Sequence, residues 1–229
     1  MATVAIGGKT LSLLRSSDGT WREDGTFDGA AAELAASGET IDMIFQTFPE
    51  PTRVQATHRD TDGHWSEPET VSAEGASKPS RPGEEIYYNN PSVVAHDDSA
   101  TIVLASWFGP VQAVIRTADG SYGPPATISP KGRLSRDVLG VWANEEGQAL
   151  AVWGPYGQGN GAWVLQASYR DGVKRTWERP VPLSMGKSVG EDGFRQYHGV
   201  GVVVYPSGAV LAAWTNTRQI VARDLGQLP

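Results

Sequence analysis

The chain has 229 residues, of which 19 are basic and 26 are acidic, so its formal net charge is -7. It contains no cysteine, which excludes disulfides, thiolate nucleophiles and cysteine-based metal sites. It also has no lysine or arginine run of the kind that binds phosphate backbones, so we expect neither nucleic acid nor an anionic membrane as a partner.

The N-terminal segment predicts three strands, at residues 3–6, at residues 10–15 and near Thr26. It lacks the basic and apolar regions of a secretory signal, so we expect a cytoplasmic protein or one whose signal has been removed. The longest apolar stretches farther along the chain are interrupted by Pro206, Ser207 and Gly208, and we expect no membrane insertion.

Four later stretches align without a gap, and each ends in an aromatic residue. Each one predicts a strand, a tight turn and a second strand, because β-branched and apolar residues follow a turn rich in Gly, Asp, Ser or Pro. Residues 30–36 favour a helix by propensity, but their alignment with the other repeats predicts a strand. The four stretches are residues 32–45, 94–107, 140–153 and 201–214.

A second sequence pattern recurs along the chain: an Asp-Gly pair followed within a few residues by an aromatic residue. Asp-Gly supplies the positive φ angles of a two-residue hairpin turn, so these sites predict the turn between a third and a fourth strand. The fourth strands begin at proline, which is typical of an outer edge. The turns are Asp18-Gly19, Asp62-Gly63, Asp119-Gly120 and Asp171-Gly172, and the fourth strands are residues 68–72, 125–129 and 180–184.

A unit of four antiparallel strands, repeated with turns at short intervals, is typical of the blade of a β-propeller. We therefore predict an all-β fold in which residues 1–229 form a single propeller domain. Counting the N-terminal strands favours five four-stranded blades, closed by strands from both termini. Four blades are the alternative, because four pairs of first and second strands are visible, and a piece excised from a larger propeller would show the same pattern.

The turn sequence at residues 16–21, SSDGTW, resembles the Asp-box of the sialidase (BNR) repeat superfamily. That box reads Ser/Thr-x-Asp-x-Gly-x-Thr-Trp, and the present segment lacks its spacer residues on either side of the glycine. The resemblance covers nearly the whole chain as a blade pattern and implies the propeller fold rather than an activity. Enzymes of this superfamily use six blades, an arginine triad and a Tyr/Glu pair, and no position here matches those motifs.

Long connections between fourth and first strands predict where a ligand would bind. Residues 73–91, 130–137 and 185–199 are expected on one face, together with the loop at residues 154–162. Aromatic rings there would stack on a ligand, and Arg and Asn would hydrogen-bond to it. The candidate binding residues are Arg81, Tyr87, Tyr88, Asn90, Trp107, Arg133, Arg136, Trp153, Tyr156, Trp163, Arg195, Tyr197 and Trp214.

Several of these residues have a structural alternative. Phe45, Trp107, Trp153 and Trp214 recur at one repeat position, which favours packing between blades over ligand contact. The aromatic residues after the Asp-Gly turns are expected to be structural, and His96 is expected to be a hydrogen-bonded channel residue. The segment from Asp60 to Gly63 is interpreted as a hairpin turn rather than a calcium loop, so no metal site and no cofactor are predicted.

Two function classes remain. The first is a propeller that binds a carbohydrate or a small polar or anionic molecule at one site, because the loops differ from blade to blade. The second is an enzyme that uses the same face for general acid and base chemistry. Its candidate catalytic groups are Glu84, Glu85, Glu191, Asp192 and His198. The sequence gives no indication of the ligand or of the oligomeric state.

Overall fold

The computed structural model describes residues 1–47, 52–73, 88, 91–105, 109–130, 136–155, 165–172, 176–183, 198–215 and 220–227. All regular elements in these ranges are strands, which form five antiparallel sheets of three or four strands each. Within the same ranges, no helix has the length and apolar character needed to cross a membrane.

The first two sheets use the N-terminal third of the chain. The strands of the first are β1 (Ala2–Ile6), β2 (Lys9–Arg15) and β3 (Trp21–Asp28). The strands of the second are β4 (Ala30–Ser37), β5 (Thr40–Thr47), β6 (Arg53–Arg59) and β7 (Glu69–Thr70). The strand predicted for the alanine-rich segment is confirmed as β4. Packing between sheets overrides the helix propensity of this segment.

The remaining sheets repeat this order. The third has β8 (Ser92–His96), β9 (Ser99–Ala105), β10 (Val111–Arg116) and β11 (Ala126–Thr127). The fourth has β12 (Arg136–Ala143), β13 (Ala149–Pro155), β14 (Gln166–Arg170) and β15 (Val181–Pro182). The fifth has β16 (His198–Val204), β17 (Ala209–Thr215) and β18 (Ile220–Gln227).

The all-β prediction is confirmed, and neighbouring strands in each sheet follow one another in sequence. The first and fifth sheets have three strands rather than the four predicted for a blade. Within the described residues, the turn positions identify β1 and β2 as second and third strands and β16 to β18 as first to third strands of their sheets. In the described residues the two ends of the chain do not share a sheet, so the predicted closure by terminal strands is not seen.

The Asp-Gly hairpins form where the sequence predicts them, but their geometry differs. In the first three of these turns only the glycine takes a positive φ, for example 89° at Gly19 and 88° at Gly120. The Gly19 amide donates to the Ser16 carbonyl and the Ser16 amide donates to the Thr20 carbonyl, so the loop has three residues instead of two. The aspartate stabilises the turn through its carboxylate, which in Asp18 accepts the backbone amide and the hydroxyl of Thr20.

The aromatic residues after these turns are structural, as predicted, in three of the four sheets that carry the turn. Trp65, Tyr122 and Trp177 each form an isolated bridge to an arginine at the end of the third strand and pack against the apolar cores. Trp21 differs, because it is about half exposed and its ring lies near the guanidinium of Arg15.

Four apolar cores lie between consecutive sheets, one at each junction. Alternation along the strands sends one set of side chains to the preceding sheet and the other to the following one. In β5, for example, Met43 and Phe45 pack with Phe27 of the first sheet, whereas Ile44 packs with Ile102 of the third. The sheets therefore depend on one another for burial, as repeat units do.

The strand register corrects one part of the repeat alignment. Gln55, Gln112 and Gln166 hold the same position in the third strands of their sheets. Their partners on the second strands are Phe45, Leu104 and Trp153. The gapless alignment places Trp107 at this position, three residues too far along the chain. The error arises because the alignment matched aromatic residues with one another, whereas the third sheet has Leu104 at this position and its next tryptophan is Trp107.

Buried ion pairs join two of the junctions on the face that carries the Asp-Gly turns. Arg59 at the end of β6 donates to both carboxylate oxygens of Asp24 in the first sheet, at 2.8 and 3.3 Å. Arg116 at the end of β10 donates to both oxygens of Asp42 in the second sheet, at 2.5 and 2.9 Å. A third guanidinium nitrogen of Arg116 donates to the Asp98 carbonyl at 3.0 Å.

We expect Asp42→Ala to lower the free energy of unfolding by about 3 to 5 kcal/mol, because it leaves the Arg116 charge buried without its carboxylate. The side chains of Arg116 and Asp42 are 3% and 1% exposed. Asp28→Ala is the matched control, since its pair with Lys9 is solvent-exposed and a loss of no more than about 1 kcal/mol is expected. Urea unfolding of both variants measures the difference, and equal losses would contradict the assigned role of the pair.

Candidate functional site at the loop face

The loop face is the side of the sheets where the inner strands β4, β8, β12 and β16 begin. Antiparallel order places the ends of the second strands and the beginnings of the third strands at the same side. The four inner strands lie next to one another in sequence order, and the Asp-Gly turns lie at the opposite side. The arrangement of strands therefore brings the predicted binding loops to one face.

Most of the predicted site residues lie outside the described residues, and their roles stay predictions. These are Arg81, Glu84, Glu85, Tyr87, Asn90, Trp107, Arg133, Tyr156, Trp163, Glu191, Asp192, Arg195 and Tyr197.

Two further predicted residues are placed by their backbone. Arg136 begins β12 and pairs with Pro155, and His198 begins β16 and pairs with Thr215. Both therefore stand at the loop-face end of an inner strand. Residues 136–137 and 198–199 were predicted to belong to the long loops, so the strands begin earlier than the sequence indicates.

Three predicted ligand contacts are buried. The side chains of Tyr88, Trp153 and Trp214 are each part of a core between two sheets. The indole nitrogen of Trp153 donates to Gln166 Oε1 at 3.0 Å, within its own sheet. Burial supports the structural alternative given for Trp153 and Trp214, and contact with a ligand stays a prediction for all three rings.

Gln46 at the end of β5 fixes the position of Tyr88. Its Nε2 donates to the Tyr88 carbonyl at 3.1 Å, and its Oε1 accepts the Tyr88 amide at 3.2 Å. A side-chain amide can satisfy both backbone groups of a residue that lies outside a sheet ladder. Gln46 therefore holds one residue of the first long connection against the loop-face edge of the second sheet.

Glu33 on β4 is a loop-face residue that the sequence analysis missed. Its Oε1 accepts a hydrogen bond from the Ser92 hydroxyl of the third sheet at 3.2 Å. Burial raises the pKa of the Glu33 carboxyl above its ordinary value of 4.5, and the hydrogen bonds from Ser92 and the Val93 amide oppose that rise. A half-buried carboxyl with a raised pKa can retain or donate a proton closer to neutral pH than an exposed one can.

The residues at the level of Glu33 are not the same in the four sheets that have an inner strand. Glu33 pairs with Ile44, and the same register in the next three sheets places Ser92 opposite Val103, Gly140 opposite Val152 and Gly201 opposite Ala213. A carboxyl, a hydroxyl and two glycines therefore occupy one level of the inner strands. This level is chemically asymmetric, so a ligand near Glu33 would not find the same group in another sheet.

A motif in the third strands was also missed. Residues 54–59 (VQATHR), 111–116 (VQAVIR) and 165–170 (LQASYR) share a glutamine at the loop face and an arginine at the opposite end. Gln166 accepts from Trp153, whereas the buried Oε1 of Gln112 has no hydrogen-bond partner among the described residues. Alignment of the third strands, rather than of the turns, is the sequence signal that identifies both positions.

One group of possible metal ligands lies on the opposite face, in the Asp-Gly turn of the second sheet. Asp60, Asp62 and His64 each place a ligand atom within 4.8 Å of the others. Asp60 Oδ1 also accepts the His64 amide at 2.7 Å. Spacing by two residues in a tight turn brings such side chains together without an ion, which agrees with the interpretation of this segment as a hairpin turn.

The sequence matches no protein-family model and no curated protein. Its structure is similar to a Trypanosoma rangeli sialidase in complex with 2,3-difluorosialic acid, with a TM-score of 0.54 and 12% identity over 97% of this chain and 40% of that chain. A complex of the same sialidase with the inhibitor DANA gives a TM-score of 0.54 and 12% identity, over 95% of this chain and 40% of that chain.

A mannose phosphorylase from Leishmania mexicana is a looser match, with a TM-score of 0.43 and 9% identity over 96% of this chain and 75% of that chain. The predicted resemblance to sialidase-type repeats is confirmed for the fold by the two sialidase matches. The chain spans about two fifths of the length of those sialidases.

We expect Glu33→Gln to stabilise the protein increasingly as pH rises. The folded-state pKa of Glu33 exceeds its unfolded value, so folding disfavours the ionised carboxylate, and the cost appears as pH rises above the ordinary value of 4.5. Gln keeps the oxygen that accepts from Ser92 but carries no charge. Urea unfolding between about pH 4 and about pH 8 measures the gain, which should vanish at the acidic end.

Ser92→Ala tests the same linkage from the other partner. It removes a hydrogen bond that lowers the pKa of Glu33, so the loss of stability with rising pH should become steeper than in the wild type. An unchanged pH dependence in both variants would contradict the assignment.

Proposed function

We propose that this chain is a β-propeller that binds one ligand, a carbohydrate or a small polar or anionic molecule, at the loop face. In this proposal the five sheets act as five consecutive blades whose inner strands line the side on which the ligand binds. The observation that carries it is the half-buried Glu33 carboxyl, which hydrogen-bonds to Ser92 across two sheets at the face where the long connections converge.

The composition of the loop face supports a polar ligand. Glu33 and Ser92 supply a carboxyl and a hydroxyl, and Gln112 supplies a buried amide oxygen. Sugar hydroxyls bind to donors and acceptors of these kinds, and aromatic residues in the loops would add stacking surfaces. Arg136 begins an inner strand at the same face and would contribute a positive charge for an anionic group.

The asymmetry of the inner level supports one site rather than several. A multivalent lectin repeats its site in each blade, whereas the equivalents of Glu33 are Ser92, Gly140 and Gly201. The sialidases of the same fold were solved with sialic acid and related compounds, which are compact anionic sugars. We therefore choose sialic acid as the first probe for this chain.

An enzyme is the second candidate, and the raised pKa of Glu33 favours it. A carboxyl whose pKa is raised by burial holds its proton to a higher pH than an exposed one and can act as a general acid toward a leaving group. The loop residues Glu84, Glu85, Glu191 and Asp192, together with His198, are the candidates for the complementary base. Binding and catalysis would then share the same face, and they differ in whether a substrate is turned over.

We expect Arg195→Ala and Tyr197→Ala to weaken sialic acid binding about tenfold or more, measured by titration calorimetry. Both residues lie on the third long connection, so the melting temperature should change little. Glu39→Gln is the control, because Glu39 is exposed in the turn at the opposite end of β4 and should leave binding unchanged. A large loss of melting temperature with intact affinity would contradict the assignment of the loop residues.

A glycan array and a metabolite thermal-shift screen extend the test beyond sialic acid, because neither presumes a chemistry. If every probe fails to bind, the proposed function is wrong. For the enzyme alternative, hydrolysis of a fluorogenic sialoside should be reduced in Glu33→Gln by about a hundredfold or more, since a general acid typically contributes 10² to 10⁴ in rate. Binding without turnover by the wild type would retain the first candidate and reject the second.

A further inference from the structure

The two ends of the sheet array expose apolar side chains that the internal sheets bury. On the first sheet, Val4 and Ile6 are 40% and 60% exposed. On the fifth sheet, Val203 and Leu211 are 50% and 40% exposed. These values show that the two end faces are not packed against each other within one chain. We call them the first face (Val4, Ile6, Leu11 and Leu13) and the last face (Val203, Leu211 and Ala213).

The first face has the same position in its sheet as faces that are buried elsewhere. Val4 pairs with Leu11, which stands four residues before Arg15. Phe45 pairs with Gln55, which stands four residues before Arg59, and Phe45 is fully buried against the preceding sheet. The first face is therefore the side with which each later sheet packs onto its predecessor.

The last face is the opposite side of the same kind of sheet. In β17, Val210, Ala212 and Trp214 pack against the fourth sheet, so Leu211 and Ala213 point away from it. Ala213 occupies the position of Ile44, which in the second sheet packs onto the third. The last face is therefore equivalent to the side of each earlier sheet that packs against the following sheet.

Charged groups at the two faces are complementary in the same way. Arg59 and Arg116 each reach back to a carboxylate of the preceding sheet. Arg15 is the equivalent arginine of the first sheet, and it is exposed with no ion pair to a carboxylate in the described part of the chain. On the last face, Leu211 holds the position that Asp42 holds in the second sheet. Asp224 is exposed and pairs with Leu211 from the neighbouring strand, so its carboxylate lies beside that position.

We propose that copies of this chain associate head to tail, with the last face of one copy packed on the first face of the next. The occupant is a second copy because the four internal junctions show that these two kinds of face pack together in this sequence. Arg15 of one copy and Asp224 of the other form the ion pair that Arg116 and Asp42 form internally. The proposal does not depend on the proposed ligand or its site.

Head-to-tail contact is heterologous, so each copy uses two different surfaces. This predicts a specific result for variants that block one face at a time. Val4→Glu blocks the first face and Leu211→Glu blocks the last face, and both substitutions are at exposed positions that should leave folding intact. Each variant alone should remain a monomer of 24.5 kDa, because its remaining face meets only a blocked one.

Sedimentation velocity over a hundredfold range of protein concentration, about 1 to about 100 µM, is the measurement. Wild-type chain should show a mass that increases with concentration, and an equimolar mixture of the two blocked variants should form a 1:1 dimer and nothing larger. Val181→Glu is the matched control, because Val181 is exposed on the edge strand of an internal sheet and should leave association unchanged.

A second pair of variants tests the charge contact. Arg15→Glu and Asp224→Arg should each weaken association, and the double variant should regain most of it because the pair is restored with reversed sign. A wild-type chain that stays monomeric at every concentration overturns the proposal. Self-association of either blocked variant alone also overturns it, because that result indicates an isologous contact instead.

Discussion

The fold depends on burial between sheets, because none of the five sheets covers both of its apolar faces by itself. Each junction has an apolar core, and the first two junctions also carry an arginine–carboxylate pair at the Asp-Gly side, of which the Arg116–Asp42 pair is buried. A buried pair of this kind adds little net stability over apolar packing but is costly to break. Its main effect here is to restrict how one sheet can rotate or slide against the next.

That restriction determines where polar groups meet on the other face. Glu33 and Ser92 are 59 residues apart in sequence and belong to different sheets, and their hydrogen bond exists because the junction fixes the two inner strands side by side. The same junction removes water from the Glu33 carboxyl, which raises its pKa. The Arg116–Asp42 pair and the hydrogen bond between Ser92 and Glu33 therefore lie at opposite ends of the same interface.

The strands, the Asp-Gly hairpins and the fold class could be predicted from the sequence, because alternation, β-branched residues and turn glycines are local signals. Glu33 and the recurring arginines could not be predicted in the same way, since their roles depend on which residues of another sheet face them. The position of Trp107 shows the intermediate case: the repeat was recognised, but the alignment matched aromatic residues where the third sheet has Leu104, which shifted the register by three residues. Aromatic residues that stack on a ligand and aromatic residues that pack in a core have the same sequence pattern. The sequence analysis therefore assigned Trp153 and Trp214 to the site, and their burial between sheets shows that they pack in cores.

The two glycines at the level of Glu33 differ in the space around them. A Cβ on Gly140 would lie 2.5 Å from the ring of Trp142, whereas a Cβ on Gly201 would meet no atom within 4 Å. One of these positions is therefore fixed by its neighbour and the other is open to variation. A side chain introduced at Gly201 would therefore place a new functional group at the level of Glu33 without a change in the packing of the strands, which is a simple way to alter the ligand selectivity of this face.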